Sequence, residues 1–431
     1  MDFNYLKEIR NLYEKNTNIL EITFILGNNT CDMDSALSAY LLSIGKNIKK
    51  GTIILDKKGV PSINEETKYL CLPVLNVKRG HLKHRIDVKY VFDHFGIDEN
   101  DFWYINDDIF NPNALFQYKN NINANNIKTN LILVDHTILT DEQKYLSEYV
   151  IGIYDHHLLS DYNGQYKNLK NLNIMYPVGS CTSLILTEYF NDDNFPTKII
   201  SPILSVTAIL LDTKNFKEDF YENRWVDLDS IIFKKIKKII KNEDENFKIK
   251  KYYKEIKDLK HDIAKNLALG FEPLFEKDQK FFNWNNNQKA IWSSLPVSFH
   301  EIKKKFGGEK ILKHYMDFYK GKNKVEQKKT FFITNSSLGN NQKLFTIFNP
   351  FKIPFKKDEI QKELVKHSEK EFYSVDIKNI VDENEKPNGE VCNIVLGDTY
   401  SRKSFEPVLK SFFSNKLLEN ESNESNADEA K

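Results

Sequence analysis

Residues 150–157 read Val-Ile-Gly-Ile-Tyr-Asp-His-His. Val150 to Tyr154 is a short apolar run rich in β-favouring residues, which reads as a buried strand. Asp155, His156 and His157 then stand together where that strand ends. The same grammar recurs on either side of it. Ile22 to Leu26 (ITFIL), Thr52 to Leu55 and Leu131 to Val134 (LILV) read as further strands. A helix is predicted to begin near Asp34, carrying Ala36, Leu37, Ala39, Tyr40 and Leu41, with others over Ser183 to Phe190 and Ile199 to Leu211. Strands alternating with helices predict an α/β domain built on a mostly parallel sheet.

Carboxylates gather at the ends of these segments. Asp32 and Asp34 follow the first strand, Asp135 and His136 follow Leu131 to Val134, and Asp155-His156-His157 follow Val150 to Tyr154. Asp212 follows the apolar helical run ending at Leu211. In an open parallel sheet, ligands collect outside the carboxyl ends of the strands, so these side chains can point at one shared spot. Each has a plainer reading: an Asp after a strand is often a helix N-cap or a turn former, and a solitary His such as His94, His261 or His314 is often structural or exposed. Converging carboxylates repel one another in a partly dry pocket, and bound divalent cations remove that repulsion. Oxygen ligands with one or two imidazoles suit Mn²⁺ or Mg²⁺ better than a thiolate-loving metal.

The chain has 431 residues, 40% hydrophobic and 29% charged, with a formal net charge of +1. That length predicts more than one domain, and that charge gives no global attraction to nucleic acid or to an acidic membrane. The four cysteines, Cys31, Cys71, Cys181 and Cys392, lie far apart and form no CxxC pair, which argues against a zinc site and against a dense disulfide framework. The N-terminal stretch MDFNYLKEIR lacks the apolar run of a signal peptide, and no apolar run is long enough to span a bilayer, so a cytoplasmic protein is expected.

The expected organisation is a catalytic domain over 1–225, a helical junction over 226–262, a smaller α/β domain over 263–418 and a disordered acidic tail over 419–431. Phe233 to Asp262 is highly charged with apolar residues at helical spacing; because acidic residues interleave with the lysines, a solvated helix face is favoured over a nucleic-acid patch. Ala290 to Leu295 and Thr330 to Thr334 read as strands of the second domain. Asn120 to Asn126 looks like a loop insertion of biased composition.

With these residues in view, the chain resembles the DHH phosphoesterase superfamily. Asp155-His156-His157 is the triplet that names it; Asp32 and Asp34, Val134-Asp135-His136, and Leu211-Asp212-Thr213 match its other motifs in order. Within the superfamily the chain looks most like the yeast-type exopolyphosphatase and prune branch. Most members begin the first motif with Gly-His; this chain has Gly27-Asn28, as that branch does. Arg79 to Arg85 (RGHLKHR) is similar to a basic family segment, and Gly179 to Ser183 (GSCTS) to the stretch after the triplet. Lys277 to Lys280, Ser293 to Pro296 and Ser401-Arg402-Lys403 resemble elements of the second type of DHH-associated domain.

The resemblance implies a parallel-sheet DHH domain, a DHH-associated substrate-binding domain and two divalent cations, Mn²⁺ or Mg²⁺. One cation would be bound by Asp34, Asp135, His156 and Asp212; the other by Asp32 and Asp135, with Asn28 nearby. Asp155 would orient the triplet, and His157 and Ser180 would face the substrate. Arg402 and Lys403 would neutralise phosphate charge, and Arg79, Lys83 and His84 are candidates for a basic channel. The implied activity is exopolyphosphatase, with hydroxide held between the metals attacking a terminal phosphorus. Inorganic pyrophosphatase, cyclic-nucleotide phosphodiesterase of prune type and a non-catalytic interaction protein are the competing readings. Nucleic-acid and membrane partners are not expected.

Overall fold

The computed structural model describes residues 3–113, 115–117, 127–157, 164, 166–175, 177–190, 195–285, 288–307, 330–339, 342–349, 359, 362, 372–381, 387–397 and 405–413. It divides into two compact units, Met1–Lys260 and His261–Lys431. The expected loop insertion at Asn120 to Asn126, the site candidates Arg402 and Lys403, and the acidic tail over 419–431 lie outside the described residues.

The first unit is built on a sheet of β1 (Glu21–Leu26), β4 (Tyr69–Leu75), β5 (Trp103–Tyr104), β6 (Lys128–Val134), β7 (Val150–Asp155) and β8 (Asn171–Ile174). Its order is β5-β4-β1-β6-β7-β8, with every neighbouring pair parallel. Phe24, Ile25, Leu26, Leu131, Leu133, Val134 and Ile153 are buried, as expected for strands covered on both faces. Helix α1 (Tyr5–Lys15) precedes β1, and α2 (Met33–Lys49) packs on β4 and β1. From β1 the chain pairs outward on one side through β4 and β5, and on the other through β6, β7 and β8. The order therefore reverses between β1 and β6, and a crevice at their carboxyl ends is where such sheets place ligands.

One expected strand takes a different position. Residues Ile53–Leu55 (β2) form a separate antiparallel hairpin with Pro61–Ile63 (β3) and take no part in the main sheet. The place beside β1 belongs to β4, whose Pro73 lacks a backbone N–H and made the run YLCLPVL a poor candidate for a central strand.

After β5 and α3 (Ile86–His94), helices α4 (Cys181–Phe190), α5 (Pro202–Asp212), α6 (Asp227–Glu243) and α7 (Ile249–Lys260) complete the unit. The Lys-rich segment thus folds as two amphipathic helices of the first unit. α6 packs on α4 and α5 through Ile232, Ile236 and Ile240, and α7 packs on α3 and α5 with Tyr252 and Ile256 buried. Lys234, Lys235, Lys237 and Lys238 face solvent.

The second unit opens with α8 (Ile263–Ala268) and α9 (Phe271–Glu276), and α10 (Phe299–Phe306) lies between strands. Its sheet has the order β13-β14-β12-β11-β10-β9, formed by β9 (Gln279–Asn285), β10 (Gln288–Ser294), β11 (Thr330–Gly339), β12 (Gln342–Asn349), β13 (Phe372–Val381) and β14 (Pro387–Gly397). Only β10 and β11 run parallel among the paired strands described. Trp284, Trp292, Phe331, Phe345, Phe405 and Phe413 fill its core. Among the described residues no helix is long and apolar enough to cross a membrane.

Candidate metal centre

The loop after β1 is wound tightly to bring its side chains inward. Gly27 leaves no room for a side chain, because an added Cβ would lie 2.3 Å from Ser35 Oγ. That hydroxyl accepts from Asn28 N at 2.6 Å, and Arg85, buried, donates through Nε to the Thr30 carbonyl. Gln143 and Asn76 extend the support: Gln143 Nε2 donates to Asn76 Oδ1, and Asn76 Nδ2 donates to the Gly27 carbonyl at 2.8 Å. Asp32 then caps α2, accepting from Ser35 N at 3.0 Å. The plain N-cap reading of Asp32 is thus the one its hydrogen bonding supports.

Asp34, in the first turn of α2, is held from one side by the start of α4. Its Oδ1 accepts from Ser180 Oγ (2.7 Å), Thr182 N (2.9 Å) and Thr182 Oγ1 (2.7 Å), and its Oδ2 accepts from Cys181 N (2.7 Å). A carboxylate at a helix N-terminus is favoured by the exposed amides there. Oδ2 also lies 3.6 Å from His156 Nε2, so this oxygen faces the cluster.

Asp135 follows β6 in the left-handed region, φ 61°, a conformation Asp and Asn tolerate better than most residues. Its Oδ1 lies 3.1 Å from His156 Nε2 and 3.8 Å from His157 Nδ1, and its Oδ2 accepts from Asn28 Nδ2 at 2.6 Å. Burial pushes its carboxyl up to about 7, reinforced by the charges of Asp32 and Asp34 and opposed by His156. Asp155 is fully buried and its Oδ1 accepts from His156 N (2.8 Å), His157 N (3.3 Å) and His157 Nδ1 (2.7 Å). One ligand-type atom from each of Asp135, Asp155, His156 and His157 falls within 4.8 Å of the others. Asp212, at the end of α5, joins the same field: desolvation, then Asp34 and Asp32, raise its carboxyl, while Lys260 and His156 lower it.

His156 carries the most informative geometry. Its Nδ1 lies 2.9 Å from the Val178 carbonyl, which can only accept, so Nδ1 bears the hydrogen. In a neutral imidazole Nε2 then presents a lone pair, and it points at carboxylate oxygens of Asp135 and Asp34. Lone pair against carboxylate is repulsive unless a cation or a proton lies between them. A ring N–H fixed on a backbone carbonyl with the second nitrogen turned toward carboxylates is compatible with a metal-ligating histidine. Oxygen donors dominate the set, which suits a hard divalent cation.

The structure brings together Asp34, Asp135, His156, His157 and Asp155 by direct approach, and Asp212 lies near enough for the charges of Asp34 and Asp32 to raise its carboxyl. Two expected participants have other placements. The amide oxygen of Asn28 accepts from Thr30 N (2.9 Å), Thr30 Oγ1 (2.7 Å) and Cys31 N (3.1 Å), which fixes the amide orientation and leaves its NH₂ on Asp135. Asn28 thus braces Asp135 and offers the cluster a donor, not a ligand atom. Ser180 is fully buried with its hydroxyl donating to Asp34. In the proposed channel, Arg79 is bound to Asp107 at 2.8 Å and lies over the Tyr104 ring, whereas Lys83 is exposed. In the second unit, Lys277 Nζ donates to Asn266 Oδ1 at 2.6 Å, an internal contact of that unit. Sequence reading missed Arg85, Asn76 and Gln143. Only Arg85 left a trace, inside the basic segment.

Residues 22–210 match the model of the DHH family, N-terminal domain. The human (Homo sapiens) exopolyphosphatase PRUNE1 is 24% identical over 262 residues, which are 59% of this chain and 48% of that protein. The chain therefore matches about half the length of this curated relative. The crystal structure of a putative family II inorganic pyrophosphatase from Methanococcus jannaschii covers 91% of this chain and 99% of its own, with a TM-score of 0.55 and 19% identity. That likeness is one of fold.

Proposed function

Because this chain belongs to the DHH phosphoesterase superfamily, with a prune-type exopolyphosphatase among its relatives, we propose that it is a metal-dependent phosphohydrolase that releases terminal phosphate from inorganic polyphosphate. The observation that carries the metal-dependent part is His156, whose Nδ1 is fixed on the Val178 carbonyl and whose Nε2 faces Asp135 and Asp34. Asp32, Asp34, Asp135, His156 and Asp212 would hold two divalent cations, Mn²⁺ or Mg²⁺. Bound there, the ions supply Lewis acidity that polarises a phosphoryl group and acidifies water.

The chain's own residues do the rest. The start of α4 holds both Asp34 oxygens, and the one bound by Cys181 N also faces His156. Asn28 fixes one Asp135 oxygen, so that Oδ1 stays beside both histidines. Asp155 holds the His157 ring through Nδ1–H, which turns the other nitrogen into the acceptor of the neutral ring. His157 is partly exposed, and in this reading it would meet a phosphate oxygen and take or return a proton there.

The test is phosphate release from long-chain polyphosphate, pyrophosphate and cyclic AMP, each with Mn²⁺ and with Mg²⁺. Polyphosphate is expected to turn over fastest. Faster turnover of pyrophosphate would replace the exopolyphosphatase reading with a pyrophosphatase one. Absence of turnover on all three, together with absence of metal binding, would point to a non-catalytic protein on this scaffold.

A further inference from the structure

We propose that Asp229, on the first turn of α6, is a positioning residue of the metal centre that acts on Asp34 through the Gly179–Ser183 turn. Asp229 is 0% exposed. Its Oδ2 accepts from Gly179 N at 2.8 Å and from Val226 N at 3.0 Å, and its Oδ1 accepts from Ser183 Oγ at 2.6 Å. The Val226 contact is ordinary capping of α6. The other two reach across to a different element, and they grip both ends of the stretch whose middle grips Asp34.

Gly179 and Ser183 bind Asp229; Ser180, Cys181 and Thr182 bind Asp34. The turn is a hydrogen-bonded bridge between two buried carboxylates. It also fits without slack: a Cβ on Gly179 would lie 2.3 Å from the Arg224 carbonyl oxygen and 3.1 Å from Asp229 Oδ2. Burying a carboxylate is costly unless it is fully hydrogen-bonded, and here the turn and the α6 cap supply three donors. What a carboxylate adds is a fixed acceptor for two separate donors of the turn. The amides and hydroxyls that aim Asp34 are thereby held in one register, and the Asp34 oxygen facing His156 is held with them.

This inference rests on the metal-dependent reading above. Its experiment is therefore a binding titration of the full chain with Mn²⁺, free of any substrate and run well below the unfolding temperature of each variant. Loss of a residue that supports a ligand typically costs about 10–100-fold in metal affinity, and Asp229→Ala is expected to raise the Mn²⁺ Kd by about that factor. Asp229→Asn keeps one oxygen for Gly179 N and Val226 N, and Ser183 Oγ can reverse its hydrogen bond to the amide. It should return the Kd to within about threefold of the native value. A role confined to joining helices would lower the melting temperature of Asp229→Ala and leave the Kd where it was.

A folded Asp229→Ala chain with a Kd within about twofold of native overturns the proposal. Should that variant not fold, Ser183→Ala decides: a Kd raised at least about threefold supports the bridge, and an unchanged Kd overturns it. If the native chain itself binds no Mn²⁺, the metal-dependent reading falls, and this inference falls with it.

Discussion

Asp135→Asn is expected to stabilise the metal-free protein and to abolish its response to metal. The carboxyl of Asp135 is raised from 3.8 to about 7 by burial and by its acidic neighbours. A raised acid means that the folded state keeps its proton where the unfolded state has lost it. The stability this group contributes is full below its unfolded value and is lost as pH rises through about 7. Above that point the folded chain carries a cost of about 4 kcal/mol, from about three units at 1.36 kcal/mol each. Asparagine removes the charge and suits the surrounding donors. Its oxygen can accept from Asn28 Nδ2, its NH₂ can donate to the His156 Nε2 lone pair, and asparagine tolerates the positive φ. Urea unfolding with a chelator present should show the variant more stable by about 2–4 kcal/mol at about pH 8, the gap closing to about 1 kcal/mol near about pH 4.5. Adding Mn²⁺ should reverse the order. At about 1,000 times its Kd a ligand stabilises by about 4.1 kcal/mol, which offsets the whole gap, and only the native chain should gain it. A variant less stable than the native chain by the same amount at both pH values, without metal, would refute the reasoning. Asp135 would then be a structural carboxylate whose charge the fold needs.

Other substitutions probe the supports. Gly27→Ala drives a Cβ to 2.3 Å from Ser35 Oγ and should cost about 1–3 kcal/mol in chemical denaturation while weakening Mn²⁺ binding. Burial pushes the Cys31 and Cys71 thiols up to about 12 and Cys181 well above the ordinary thiol value, so maleimide at about pH 8 should leave all three unmodified until the chain unfolds, as read by mass spectrometry. Trp292→Ala, in the core of the second unit, should destabilise that unit by about 3–5 kcal/mol, while Mn²⁺ affinity, whose proposed ligands all lie in the first unit, stays within about twofold.

How much of this was legible in the sequence depends on how local each feature is. The strand before Asp155 and the one before Asp135 show as apolar runs, and a parallel sheet necessarily gathers the residues just beyond such runs at one edge. The ligand-type residues could therefore be named from the sequence alone. The strand Tyr69–Leu75 was hidden by Pro73, because a residue without an N–H argues against a sheet interior, and here the sheet accommodates it. Side-chain direction was not legible at all. Asn28 stands where a ligand would, yet its oxygen is consumed by the backbone of its own loop two and three residues on. Ser180 stands where a phosphate contact would, yet it faces Asp34, far away in the chain.

The contrast has one physical source. A strand end places a Cα, and hydrophobic pattern is enough to predict it. Which way a polar side chain turns is decided by donors and acceptors that arrive from elsewhere in the fold, at individual strengths of about 0.5–1.5 kcal/mol. Asp34 illustrates the outcome: four hydrogen bonds from the start of α4 set its direction, and none of them is implied by the residues around it. A centre of this kind is thus specified twice. Strand and helix ends bring the candidate ligands within reach of one another, and a shell of buried hydrogen bonds decides which oxygen of Asp34 and of Asp135 faces inward. Substitutions in that shell should alter metal affinity while every ligand remains in the chain.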